Sequence, residues 1–95
     1  MKLEELRQEI DQIDEELVTL FAERQKCAEK VAFVKSNKTL VVDKKRIEEV
    51  ITRVKRLAKE KGMSEKIAES LWRKLIELTI DYEYAVIESQ GKDFE

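Results

Sequence analysis

Residues 3–34 read LEELRQEIDQIDEELVTLFAERQKCAEKVAFV. Apolar side chains recur at Leu3, Leu6, Ile10, Ile13, Leu17 and Leu20, then at Cys27, Val31 and Val34, in alternating steps of three and four. This heptad seam predicts one long helix from about Leu3 to Val34. At about 1.5 Å rise per residue such a helix spans roughly 50 Å. A compact monomer of 95 residues has a radius of gyration near about 12 Å. The chain is too short to bury this helix alone, so the seam calls for a second copy, in an intertwined or antiparallel homodimer.

The remainder of the chain supplies two further helices. Ser36-Asn37-Lys38-Thr39 interrupts the first with poor helix formers, and a short apolar stretch, Leu40-Val41-Val42, leads to Asp43, a suitable N-cap. A second helix carries Ile47, Val50, Ile51, Val54, Leu57 and Ala58 on one stripe and stops near Gly62, which suits a C-cap. Ser64 opens a third helix bearing Ile67, Leu71, Trp72, Leu75, Ile76, Val86 and Ile87. No repeat, linker or low-complexity segment divides the sequence. The expected architecture is all-α: a single domain over residues 1–95, with one long and two shorter helices per chain in a dimeric six-helix bundle. A simple long coiled coil is the plainer alternative, and the two additional amphipathic helices favour the bundle.

Composition narrows the chemistry. Charged and hydrophobic residues each make up 42%, with two Gly, no Pro and no His. A disordered chain would lack these aliphatic residues, and an all-β chain would need more turn residues and aromatics. Without His, catalytic triads, His-ligated metals and imidazole shuttles are excluded. Cys27 alone makes neither an intrachain disulfide nor a zinc cluster, and no glycine-rich phosphate cradle is present. No cofactor or metal is expected. An enzyme built from this inventory must work with Arg, Lys, Asp, Glu and hydroxyls. No apolar window suggests a membrane span, and MKLEELRQEI does not resemble a signal peptide, so the expected location is cytoplasmic.

Charge is segregated along the chain. Residues 1–34 carry a net −4, residues 35–59 a net +6 and residues 60–95 a net −4. A basic middle matched by so much acid argues against a nucleic-acid-binding protein and fits small anions held locally. A solvated helix surface accounts for most of these charges.

A few polar residues occupy apolar positions. The register through Leu17, Leu20, Cys27 and Val31 demands an apolar residue at position 24, and the sequence has Arg24. A charge there is costly unless paired or facing a polar cavity, so Arg24 either sets register or contacts a ligand. Lys35 follows eleven residues later, almost a whole number of turns, so both cations share a face about 16 Å apart. Arg7 lies seventeen residues before Arg24. Only an antiparallel partner brings it to the Lys35 end; otherwise it is a solvated first-turn residue. On helix three, Thr79 and Glu83 sit i,i+4 on the stripe of Leu71, Leu75 and Val86. The Thr reads most simply as a hydroxyl bonded back one turn. The Glu would fall in pKa beside cations and rise among apolar groups. Asp43 and Arg46 read as an N-cap and a surface cation, and Trp72, Tyr82 and Tyr84 as core and interface packing.

Together these residues resemble the all-helical chorismate mutases. LRQEIDQIDEELVTLFAERQKCAEKVAFVK resembles that family's long first helix, VVDKKRIEEV its second-helix entry and LWRKLIELTIDYE its third helix. The motif is an Arg in the first two turns, then Leu-x-x-Glu-Arg, then a Lys eleven residues on. The resemblance implies that Arg24 and Lys35 come from one chain and Arg7 from its partner. It further implies that Asp43 and Arg46 contact substrate from the loop and second helix, with Thr79 and Glu83 near the ether oxygen. The implied substrate is chorismate, a dianion whose rearrangement to prephenate needs no nucleophile, metal or proton relay. Arg7 and Arg24 would clamp the carboxylates, Lys35 would donate to the ether oxygen or a carboxylate, and Glu83 would help only when protonated.

One position departs from the family pattern. Where typical members place a Glu that accepts the ring hydroxyl, this sequence has Ile47, with Glu48 about 100° further round the helix. An apolar residue there resembles the related isochorismate-pyruvate lyases, whereas Asp43 and the Thr79/Glu83 pair lean towards the mutase. A catalytically silent helical dimer or regulatory module would equally satisfy the heptads and charged faces.

Overall fold

The computed structural model describes residues 2–35 and 42–93. It contains three helices: α1 (Leu3–Lys35), α2 (Lys44–Lys61) and α3 (Glu65–Asp93). The interruption at Ser36–Thr39 and the Leu40-Val41 part of the apolar stretch lie outside the described residues. Among those described, no strand is present and no helix is long and apolar enough to cross a membrane.

Local chemistry fixes the helix ends. Asp43 is the N-cap of α2, its backbone extended and its side chain accepting the Arg46 N–H at 3.0 Å. At the other end Gly62 adopts φ 79°, ψ 23°, and the Met63 N–H reaches back to the Ala58 carbonyl at 2.8 Å. The Gly62 N–H donates to the Lys59 carbonyl at 3.3 Å, so two otherwise orphaned carbonyls of the last turn are satisfied. Ser64 then starts α3 by accepting the Ile67 N–H at 3.3 Å. Space around Gly62 is open, but a left-handed backbone penalises any Cβ. Gly62→Ala is therefore expected to lower unfolding free energy by about 1–2 kcal/mol, read from the urea midpoint at fixed chain concentration.

Packing is organised around α3, which lies against both α1 and α2. From α1 the buried residues are Ala28 and Ala32, and from α2 they are Ile51 and Ala58. Ala68, Glu83 and Ile87 are buried on α3. The intrachain contact of α1 thus lies one position off the large-residue seam, because small side chains let the two helix backbones approach. Ile80, Tyr84 and Val86 pack over Ala32 and Ile87, and Phe21 meets Trp72 in a tilted ring pair at 6.5 Å. Tyr82 is not core: it is partly exposed, and its hydroxyl donates to Glu29 at 2.5 Å. The inward face of α3 runs through Ala68, Ile76 and Glu83, while Leu71 is exposed beside it.

The seam itself is uncovered. Leu3, Ile10, Ile13, Leu17 and Leu20 are all exposed, Leu3 at 62%. The molecule measures 59 × 27 × 15 Å with a radius of gyration of 16.7 Å, well above the roughly 12 Å of a compact monomer of this length.

Candidate active site

A cavity of about 310 Å³ opens where the last turns of α1, the first turns of α2 and the middle of α3 converge. Its charged lining is Arg24 and Lys35 from α1, Asp43 and Arg46 at the start of α2, and Glu83 from α3. Thr79 adds a hydroxyl, and Ala28, Val31, Ile47, Val50, Ile76 and Ile80 form apolar walls. Six of the seven residues singled out from the sequence therefore meet in one place. Arg7 does not: it is exposed near the far end of α1, roughly 25 Å from Arg24 along the axis.

Each polar side chain has an identifiable local role. Arg24 is half-buried and donates from Nη1 to Thr79 Oγ1 at 3.2 Å, while Thr79 donates its own proton to the Leu75 carbonyl at 2.7 Å. The sequence reading of Thr79 as a back-bonded hydroxyl is correct. In addition, the threonine holds one arm of the guanidinium. Asp43 both caps α2 and lines the cavity. Arg46 keeps a loose exposed pair with Glu49 at 3.7 Å, which solvent makes weak.

Glu83 is the most informative member. It is 7% exposed, and no hydrogen bond to it is present among the described residues. Burial pushes its carboxyl above the usual range, and the nearby charges of Lys35 and Arg24 oppose that rise without reversing it. A buried carboxyl held near cations but bonded to none of them is suited to donate a hydrogen bond to a ligand oxygen. Among the described residues no cluster of His, Cys, Asp and Glu is placed to hold a metal ion.

Sequence periodicity missed the cavity's walls. Cys27 and Val31 counted as seam, yet both line the cavity, and Cys27 is an exposed free thiol. Both Glu48 carboxylate oxygens accept from Arg73 at 3.1 Å, and Glu48 is not part of the cavity lining.

Cations from two helices, a buried carboxyl near two of them, a hydroxyl and apolar walls thus share one cavity among the three helices. Residues 6–84 match the family described as chorismate mutase type II, and the chain belongs to that family. It is also 35% identical over 77 residues, spanning 80% of this chain and 78% of the relative, to a protein named chorismate mutase from Methanocaldococcus jannaschii.

Proposed function

We propose that the chain rearranges chorismate to prephenate in this cavity, as a homodimer in which the partner's Arg7 completes each site. The observation that carries the reading is buried Glu83 facing Arg24 and Lys35 in a chain of this family. The reaction is an isomerisation. The bond from the ether oxygen to the ring breaks, a carbon–carbon bond forms from the enolpyruvyl methylene to the ring, and no atom or electron enters or leaves. Catalysis then needs a compact conformer and stabilisation of the negative charge that grows on the ether oxygen.

The side chains divide these tasks. Arg24 and the partner's Arg7 grip the two carboxylates with planar forks. Lys35 and protonated Glu83 donate to the ether oxygen as its bond to the ring lengthens. Thr79 positions Arg24, Asp43 holds the start of α2, and Arg46 adds positive potential at the cavity mouth. The apolar walls exclude water and strengthen each of these interactions. Neither pyruvate elimination from isochorismate nor a silent module is favoured by the family match or the relative. A cytoplasmic location belongs to the same proposal, since the family serves aromatic amino-acid biosynthesis.

The dimer is supported by the uncovered leucine and isoleucine seam of α1, a contiguous apolar surface of the kind that marks an interface. Two copies of α1 crossing antiparallel would bury that seam and carry Arg7 to the partner's Lys35 end. Subunit complementation tests this arrangement. Arg7→Ala and Arg24→Ala homodimers are each expected to be nearly inactive. Refolded together in equal amounts, they form heterodimers with one intact site, restoring about a quarter of wild-type activity. No recovery from a mixture shown to contain heterodimers would sink the shared site.

A further inference from the structure

Cys27 is the chain's one cysteine, and no step of the rearrangement uses it. Its thiol is free and exposed, and it lies on the wall of the candidate cavity. Three cations share that cavity, Arg24 and Lys35 from α1 and Arg46 from α2, against the two carboxyl groups of Asp43 and Glu83. Arg24 stands three residues before Cys27 on the same helix, a spacing that makes side chains neighbours on the helix surface. Glu83 shows independently of the thiol that the cavity is built to take a ligand: it lines the cavity, is 7% exposed and takes part in no hydrogen bond among the described residues. In the proposed dimer the cavity has to stay open for substrate to enter, and the thiol on its wall stays open with it.

We propose that Cys27 is a covalent modification site at which a small anionic disulfide forms a mixed disulfide, and that the adduct shuts the cavity to substrate until a thiol removes it. The exchange is balanced within itself. The Cys27 thiol gives its proton to solvent and its sulfur attacks one sulfur of the disulfide. A new sulfur–sulfur bond forms as the old one breaks, and the other half leaves as a thiolate. Charge directs the reagent. The whole chain carries a net −2, which repels an anion from an average surface thiol, whereas the cavity's cations attract it into a cleft whose apolar walls focus the field. Accessible thiols in electropositive surroundings are the ones open to such exchange, and buried ones are inert. Once attached, the anionic group is tethered one turn from Arg24 and competes for the guanidinium that a substrate carboxylate needs. This last consequence rests on the substrate reading given above; the place of attachment does not.

The test uses the wild-type protein and two methanethiosulfonates of matched size, one ending in a sulfonate and the other in a trimethylammonium group. Each transfers its tail to a thiol as a disulfide and releases methanesulfinate. Labelling rates are read by intact mass, and each is divided by the same reagent's rate with free mercaptoethanol. The normalised rates are expected to favour the sulfonate by about tenfold or more at low salt. At about 1 M salt, where charges are screened beyond about 3 Å, the preference should collapse. One sulfonate tail per chain is expected to lower kcat/KM for chorismate by about 10²-fold or more, as denial of Arg24 to substrate implies, and dithiothreitol should restore it. Cys27→Ala and Cys27→Ser, each compared with its own untreated activity, should lose nothing to the reagent. A wild-type thiol that stays unlabelled, one labelled without preference for the sulfonate, or a fully labelled enzyme of undiminished turnover overturns the proposal. Arg24→Ala measured alongside separates the two levels of inference. If that variant is inactive while the labelled enzyme works normally, the Cys27 proposal alone falls; if both turn over chorismate undiminished, the substrate reading falls with it.

Discussion

Arg24→Ala is expected to lower kcat/KM for chorismate by on the order of 10²- to 10³-fold or more while leaving the helical fold intact. Removing one partner of a desolvated, hydrogen-bonded charge pair costs about 2–5 kcal/mol, and each 1.4 kcal/mol is about tenfold. The substrate carboxylate that Arg24 would grip sits in a cavity walled by Ile76, Ile80 and Val31, where water replaces the lost fork poorly. Folding should scarcely suffer. Among the described residues Arg24 makes one hydrogen bond to a side chain, to Thr79, and Thr79 keeps its own bond to the Leu75 carbonyl when the arginine is gone. The variant should therefore melt close to wild type and retain its oligomeric state. Arg24→Lys should recover little, since an ammonium cannot span both carboxylate oxygens from a position set by Thr79. Unchanged chorismate turnover in a folded Arg24→Ala protein would show that this cavity is not where the reaction occurs.

The same residue shows why much of the candidate site is legible in the sequence. A charge in a heptad seam is a local contradiction, and such contradictions mark places where function overrides packing. Arg24, Lys35 and the Thr79/Glu83 pair are related by helical spacing within single helices, which periodicity reports directly. So are the Asp43 cap and the left-handed Gly62, because both are consequences of sequence within one turn. What escaped was everything set by the approach of one helix to another. The Arg24–Thr79 bond joins residues 55 apart in sequence. The α1 face turned towards α3 is built on Ala28 and Ala32, whose small size makes close approach possible and makes them inconspicuous beside a row of leucines. The Glu48–Arg73 pair, 25 residues apart in sequence, is likewise invisible to a helical wheel.

Glu83 carries the strongest pH prediction. Its carboxyl is raised by burial against the opposing influence of Lys35 and Arg24, with Asp43 and Arg46 facing the same cavity from α2. Only the protonated form can donate to the ether oxygen; the carboxylate would repel the charge developing there. Binding of a dianion neutralises the two cations that hold Glu83 down, so the pKa in the complex should be higher than in the free enzyme. Activity should thus be full below the folded-state pKa and fall about tenfold per pH unit above it. Stability follows the same sign. Because the folded state binds the Glu83 proton more tightly than the unfolded chain, its contribution declines as pH rises from the unfolded carboxyl value through the folded one. Glu83→Gln keeps a donor with no titration, so it should flatten the kcat/KM profile and exceed wild type at the alkaline end. It should also remove this part of the decline in stability. Glu83→Ala, which has no donor, should lose about 10²- to 10³-fold at acid pH, the effect of removing one preorganised hydrogen bond to a developing oxyanion. Profiles of kcat/KM from pH 5 to 9 for the three proteins decide the role. A wild-type rate unchanged between pH 5 and 8, or an alanine variant as active as wild type, would remove Glu83 from the chemistry and leave its burial without a functional explanation.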